Sequence, residues 1–77
     1  MDKLLFKAEV KKQLALRKWS YTDLSEHTTY TPRSVQQIMY DDSRLTERAI
    51  NEFSSALNID VDSLEREADG KRSLHTE

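Results

Sequence analysis

The sequence predicts an all-α protein, a compact bundle of five short helices. Three observations carry that expectation. Apolar residues recur at three- and four-residue spacing through most of the chain, which is the period of an amphipathic helix. Gly and Pro occur once each, too few to punctuate the turns of a β-rich fold. Ser, Thr and Asp stand just ahead of several periodic runs, where a side-chain oxygen can accept from the free N–H groups of a first helical turn.

The first helix lies within residues 1–18. Phe6, Val10 and Leu14 form an i, i+4, i+8 stripe, widened by Ala15 and Leu16. Asp2 caps an early start, or the helix begins near Lys7. The lysines fall mostly off the stripe and read either as a solvated face or, for Arg17 and Lys18 beside the next helix, as contacts to a phosphate backbone. Trp19, in the connection, reads as a plug between the first two helices.

The stretch Tyr21 to Tyr40, YTDLSEHTTYTPRSVQQIMY, organises the rest. It reads as two short helices with a tight break. Ser20 caps the first, and Asp23 sits near its positive end. Leu24 and Thr28 share one side. Tyr21 stands on the exposed start, where its phenol either meets solvent or donates to a phosphate oxygen. His27 follows Asp23 by four residues on the same face, but two ligands without a third make a weak metal site, and a surface role fits better. Thr31 caps the second helix, and Pro32 suits its first position because the missing N–H has no partner there. Val35 and Ile38 face inward, leaving Thr31, Pro32, Arg33, Gln36 and Gln37 on the outer face. Arg pairs bidentately with guanine and Gln with adenine, so this face has the chemistry to read base edges, against the plainer reading of a wet polar surface. Ser34 can bond back towards the Thr31 cap.

Asp41, Asp42 and Ser43 end that helix. Leu45 is a core candidate, and Thr46 with Glu47 opens a fourth helix whose apolar face is Ala49, Ile50, Phe53, Ala56 and Leu57. Ile59, Val61 and Leu64 continue the core, with Asp60 or Asp62 capping a short fifth helix. Residues 1–67 form one domain, and residues 68–77 are expected to be a flexible C-terminal tail.

With 77 residues, 36% hydrophobic and 34% charged, the chain supports one small domain with a thin core. There is no Cys for a disulfide, thiolate site or nucleophile, no Gly-rich phosphate loop, and no cluster of metal ligands. An enzyme is therefore the least supported class, and no cofactor is expected. No apolar run approaches a membrane span and no signal-peptide core is present, so a cytoplasmic location is expected.

The net charge of −2 is unevenly spread. Residues 1–19 set six basic side chains against Asp2 and Glu9, whereas residues 49–77 set three against seven acids. Any neutralisation of phosphate has to be local.

The stretch from Tyr21 to Tyr40 resembles the helix-turn-helix of the lambda-repressor-like (Cro/CI-type) DNA-binding family. Leu24, Tyr30, Val35 and Ile38 match its apolar places, and Ser25 its small residue. FSSALNIDVDSL, Phe53 to Leu64, resembles the family's helix 4, loop and helix 5, which read close to IAxALGVSxDxL. The resemblance runs from Val10 to Leu64, 55 of 77 residues. Thr29 departs from it where the family prefers Gly in the turn, Tyr21 replaces the usual Gln, and Asp41 replaces a Gly.

The resemblance implies a sequence-specific transcriptional regulator like a small phage repressor or Cro protein. Helix 3 would enter the major groove of a double-stranded operator, with Arg33, Gln36 and Gln37 at base edges. Tyr21, Thr31, Arg17 and Arg44 would position the backbone, with Lys18 and Pro32 among the DNA-binding residues. It also implies a homodimer on half-sites about 34 Å apart, with helix 5 as its surface. The alternative is an antirepressor that binds the DNA-binding domain of another phage repressor, drawn there by acidic residues such as Asp41 and Asp42. An antitoxin, which joins DNA binding with a protein partner, is the third reading.

Overall fold

The computed structural model describes residues 2–66, so the expected tail at 68–77 lies outside the described residues. The fold is all-α, with no strand among the described residues. Five helices follow in order: α1 Lys3–Arg17, α2 Tyr21–Glu26, α3 Pro32–Tyr40, α4 Glu47–Leu57 and α5 at 61–66. A single 3-10 turn, Asp42–Arg44, bridges α3 and α4.

Each start is set by the residue before it. Asp2 accepts from the N–H groups of Leu4 and Leu5, so the earlier of the two expected starts of α1 is the one found. Ser20 and Asp23 form a reciprocal capping box on α2. Thr31 and Thr46 accept from Ser34 N–H and Ala49 N–H, and Asp60 accepts from Ser63 N–H ahead of α5. Two helices end on left-handed residues, Lys18 (φ 58) and Asn58 (φ 57). Each is the C-terminal turn that releases the chain towards the next helix.

The core gathers one face from every helix: Phe6, Val10 and Leu14; Leu24; Val35, Ile38 and Met39; Ala49, Phe53 and Leu57; Leu64. Leu45 joins them from the connection. Burying a Leu or Phe side chain is worth about 1.5–3 kcal/mol, so these dozen positions supply most of the driving force for so small a chain. Trp19 is half-buried at the core's edge and stacks on His27 with ring centroids 4.3 Å apart, beneath the Arg17 guanidinium.

Lys7 corrects the picture of α1 as a stripe with solvated lysines. It sits one turn before the core's Val10, is 9% exposed, and puts its ammonium 2.6 Å from the Asp42 carboxylate. Lys3 donates to the Asp42 backbone carbonyl at 3.0 Å. Together the two lysines pin the 3-10 turn against the first helix.

Candidate nucleic-acid interface

α2 and α3 are joined by five residues, 27–31, that turn the chain with no left-handed residue. Thr29, at the place where a Gly would be expected, avoids positive φ altogether. Hydroxyl groups and a carboxylate do the work instead. Thr28 donates its hydroxyl to the Ser25 carbonyl and accepts from Tyr30 N–H, both at 3.1 Å. Thr29 donates its N–H at 2.7 Å and its hydroxyl at 2.8 Å to Glu52 on α4. Arg48 holds the same carboxylate at 3.0 Å, and these bonds keep Glu52 below its ordinary value of 4.5, the Thr29 N–H contributing most. Tyr30 then packs edge-on against Phe53, so the break between the helices is clamped onto α4.

α3 leaves this clamp with a fixed start. The Thr31 hydroxyl donates to Ser34 Oγ while accepting from Ser34 N–H, so both side chains are engaged in the cap. Pro32 occupies the first turn. Val35, Ile38 and Met39 anchor the inner face. On the outer face Arg33 and Gln36 are exposed and Gln37 is half-buried. None of the three makes a side-chain hydrogen bond or ion pair among the described residues. Five guanidinium donors and two amide groups are thus presented by a helix whose own backbone is rigidly held.

Tyr40 adds a residue to this face that apolar counting hides. It is 79% exposed and lies seven residues after Arg33 and four after Gln36, on the same side of α3. The only cue to it in the sequence is that spacing. Gln37, by contrast, turns towards a groove of about 320 Å³ that Tyr30, Ser34 and Arg44 also line.

Among the residues expected at a phosphate backbone, three lie beside α2 and one beyond α3. Lys18 is exposed in its left-handed cap and Tyr21 is half-buried against the core at the start of α2. Arg17 is committed elsewhere. Its guanidinium donates to Gln13 Oε1 at 2.6 Å and to the Leu57 carbonyl at 2.9 Å, tying α1 to the C-terminal end of α4. Arg44 is exposed and lies 3.6 Å from the Asp41 carboxylate.

The two acids after α3 are not free charges. Asp41 accepts from the Ser43 hydroxyl at 2.7 Å and N–H at 3.0 Å, and these bonds, aided by Arg44, hold it below its ordinary 3.8. Asp42 is neutralised by Lys7. His27 and Asp23 share a face but do not converge. The His27 ring reaches the Asp23 backbone carbonyl, while the Asp23 carboxylate turns back to Ser20 N–H. No group of three potential metal ligands occurs among the described residues, and no helix there is long and apolar enough to cross a membrane.

The arrangement defines a class in outline: a small helical bundle presenting one short, capped helix with an unpartnered polar face. No protein-family model, curated protein or solved structure matches the chain.

Proposed function

We propose that this protein is a sequence-specific DNA-binding transcriptional regulator of the lambda-repressor-like kind, acting as a small phage repressor or Cro-like protein. α3 lies in the major groove of a double-stranded operator. Arg33 pairs with a guanine and Gln36 with an adenine, each worth about 1–3 kcal/mol of discrimination. Tyr40 extends the reading face, and Gln37 flanks it from the groove that Arg44 also lines. Lys18, Tyr21 and Arg44 contact phosphates, Thr31 and Pro32 fix the angle of α3, and Arg17 supports the interface through the packing of α1 on α4.

One observation carries this reading. Arg33 and Gln36 are exposed and without a partner among the described residues, on a helix capped at its start and locked to α4 through the preceding turn. A polar face held this rigidly loses little entropy when it meets base edges. The antirepressor reading draws less support, because both acids that would attract a basic partner already have internal partners.

Selection of the purified protein against a random duplex library, at low and moderate salt, tests the proposal. A short enriched motif with a steep salt dependence is expected. Arg33→Ala, in a folded protein, is expected to lose roughly tenfold or more in affinity and to relax preference at one base pair. Binding without sequence preference from a folded sample would overturn the reading in favour of a protein partner.

A further inference from the structure

The apolar residues of α5, expected from the sequence as a self-association surface, serve the chain's own core. Leu64 is buried in it, and Ile59 and Val61 pack against it. Exposed apolar surface lies on α1 instead. Leu4 is 71% exposed, and Ala8, Lys11 and Ala15 follow it in steps of four, three and four residues, all exposed. Those steps keep the four on one side of the helix, the spacing of a seam along which a second helix packs. Ala8 and Ala15 are small, so a partner's backbone can come close.

Towards its C-terminal end the seam runs into a groove of about 410 Å³ between α1 and the start of α2. Leu14, Ala15, Trp19 and Tyr21 give the groove apolar walls, and Lys11 lines it too. Trp19 and Tyr21 rest on the core yet are only half-buried. Rigid aromatic groups held half-open in this way are the type that anchors protein interfaces.

The charge around the groove has one sign. Lys11 lines it and Lys18 adjoins Trp19 in the chain, both exposed and without an acidic partner among the described residues. Asp23, the acid of the first α2 turn, is spent on Ser20 N–H. Glu9 lies on the side of α1 that meets Asn58 and Ile59, with its carboxylate bonded to Gln13. A complementary occupant is therefore acidic as well as apolar.

We propose that this side of α1, with the groove at its end, docks an acidic amphipathic helix of a partner protein. Apolar residues of that helix lie along Leu4, Ala8 and Ala15, and a large one enters the groove between Leu14, Trp19 and Tyr21. Its carboxylates meet Lys11 and Lys18. A phosphate backbone has nothing to place in an apolar recess, and a flat lipid surface does not reach into one. Tyr21 is also among the proposed phosphate contacts, so a seated partner keeps DNA from the start of α2. That consequence alone rests on the DNA-binding reading.

A phage-displayed library of random peptides, each as long as the 15 residues of α1, tests the docking on the immobilised full chain without DNA. Enrichment of sequences with Asp or Glu around apolar residues at helical spacing is expected. A synthetic copy of the commonest peptide, chosen without Trp, should shift the emission of Trp19, the chain's one Trp. Ala15→Glu, which blocks the seam and faces like charge, is expected to weaken that peptide about tenfold, and Lys11→Glu about fivefold. Lys12→Glu makes the same charge change on the side towards α5 and is expected to cost less than about twofold. All three positions are exposed and Glu suits a helix, so the fold is kept, which circular dichroism checks. No enrichment, enrichment of basic sequences, or an unmoved Trp19 emission would overturn the proposal. So would a peptide as sensitive to Lys12→Glu as to Lys11→Glu, or phosphatidylglycerol vesicles that bind with the same loss on Ala15→Glu. A failed DNA selection would leave every one of these readings standing.

Discussion

The Lys7 ammonium lies 2.6 Å from the Asp42 carboxylate, one group nearly buried and the other half in water. The asymmetry predicts unequal consequences for the two partners. Asp42→Ala strands a positive charge whose side chain is 11% exposed, and leaving such a donor unsatisfied costs about 1–3 kcal/mol. Partial hydration of the pair places the expected loss near the lower end, about 1 kcal/mol. Lys7→Met leaves an acid that water can reach and an apolar stem that still packs, so its cost is expected within about 0.5 kcal/mol of zero. Urea unfolding of both variants reads the difference. Equal losses would mean that the pair's attraction, not the stranded lysine, governs the effect.

Glu52 gives a second prediction, through pH. Bonds from the Thr29 N–H and hydroxyl, then from Arg48, depress its folded value below 4.5. A depressed carboxylate stabilises the fold in full above its unfolded value, and that contribution fades as pH falls through the folded one. Stability should therefore decline from just below pH 4.5 downwards. Glu52→Gln is expected to be less stable at neutral pH and to show a shallower acid decline, because the amide accepts more weakly and does not titrate. Unfolding midpoints at neutral and acid pH check both parts. An unchanged acid slope would mean that Asp41 and Asp60, which are depressed likewise, carry the dependence.

The local devices were legible because they are local. Ser20, Thr31 and Thr46 announce helix starts by residue type alone, and most core positions from Phe6 to Leu64 follow from periodicity, but Ala15 and Leu16, expected to widen the first stripe, are exposed, and Met39 joins the core unannounced. What escaped the sequence depends on long-range pairing. Nothing in residues 27–31 reveals that Glu52, 23 positions beyond Thr29, supplies the acceptor that replaces a turn Gly. Lys7 and Asp42 are separated by 35 positions, and the sequence shows a lysine on a helix and an acid in a loop. Arg17 looked available for phosphate because its partner, the Leu57 carbonyl, is a backbone atom that no residue type advertises. The outer face of α3 was legible as a surface, yet Tyr40 hid in it because an aromatic residue counts as apolar.

Lys18 allows backbone strain and DNA contact to be separated. It ends α1 at φ 58 and ψ 39, with its N–H donating to the Ala15 carbonyl. A residue with a Cβ is held in that left-handed region at a cost of about 1–2 kcal/mol, part of which Gly recovers while losing more entropy on folding. Lys18→Gly is therefore expected to stabilise the protein by about 0.5–1 kcal/mol. It also removes a cation beside the start of α2. If Lys18 meets a phosphate, the same variant binds DNA more weakly on every sequence, with a salt slope smaller by about one. Asn58→Gly is the control, because Asn58 has the same backbone conformation at the end of α4 and no part in the proposed interface. It should stabilise less, since Asn tolerates that region better, and leave the salt slope alone. A Lys18→Gly protein that is more stable yet keeps the full slope would restrict Lys18 to its capping role.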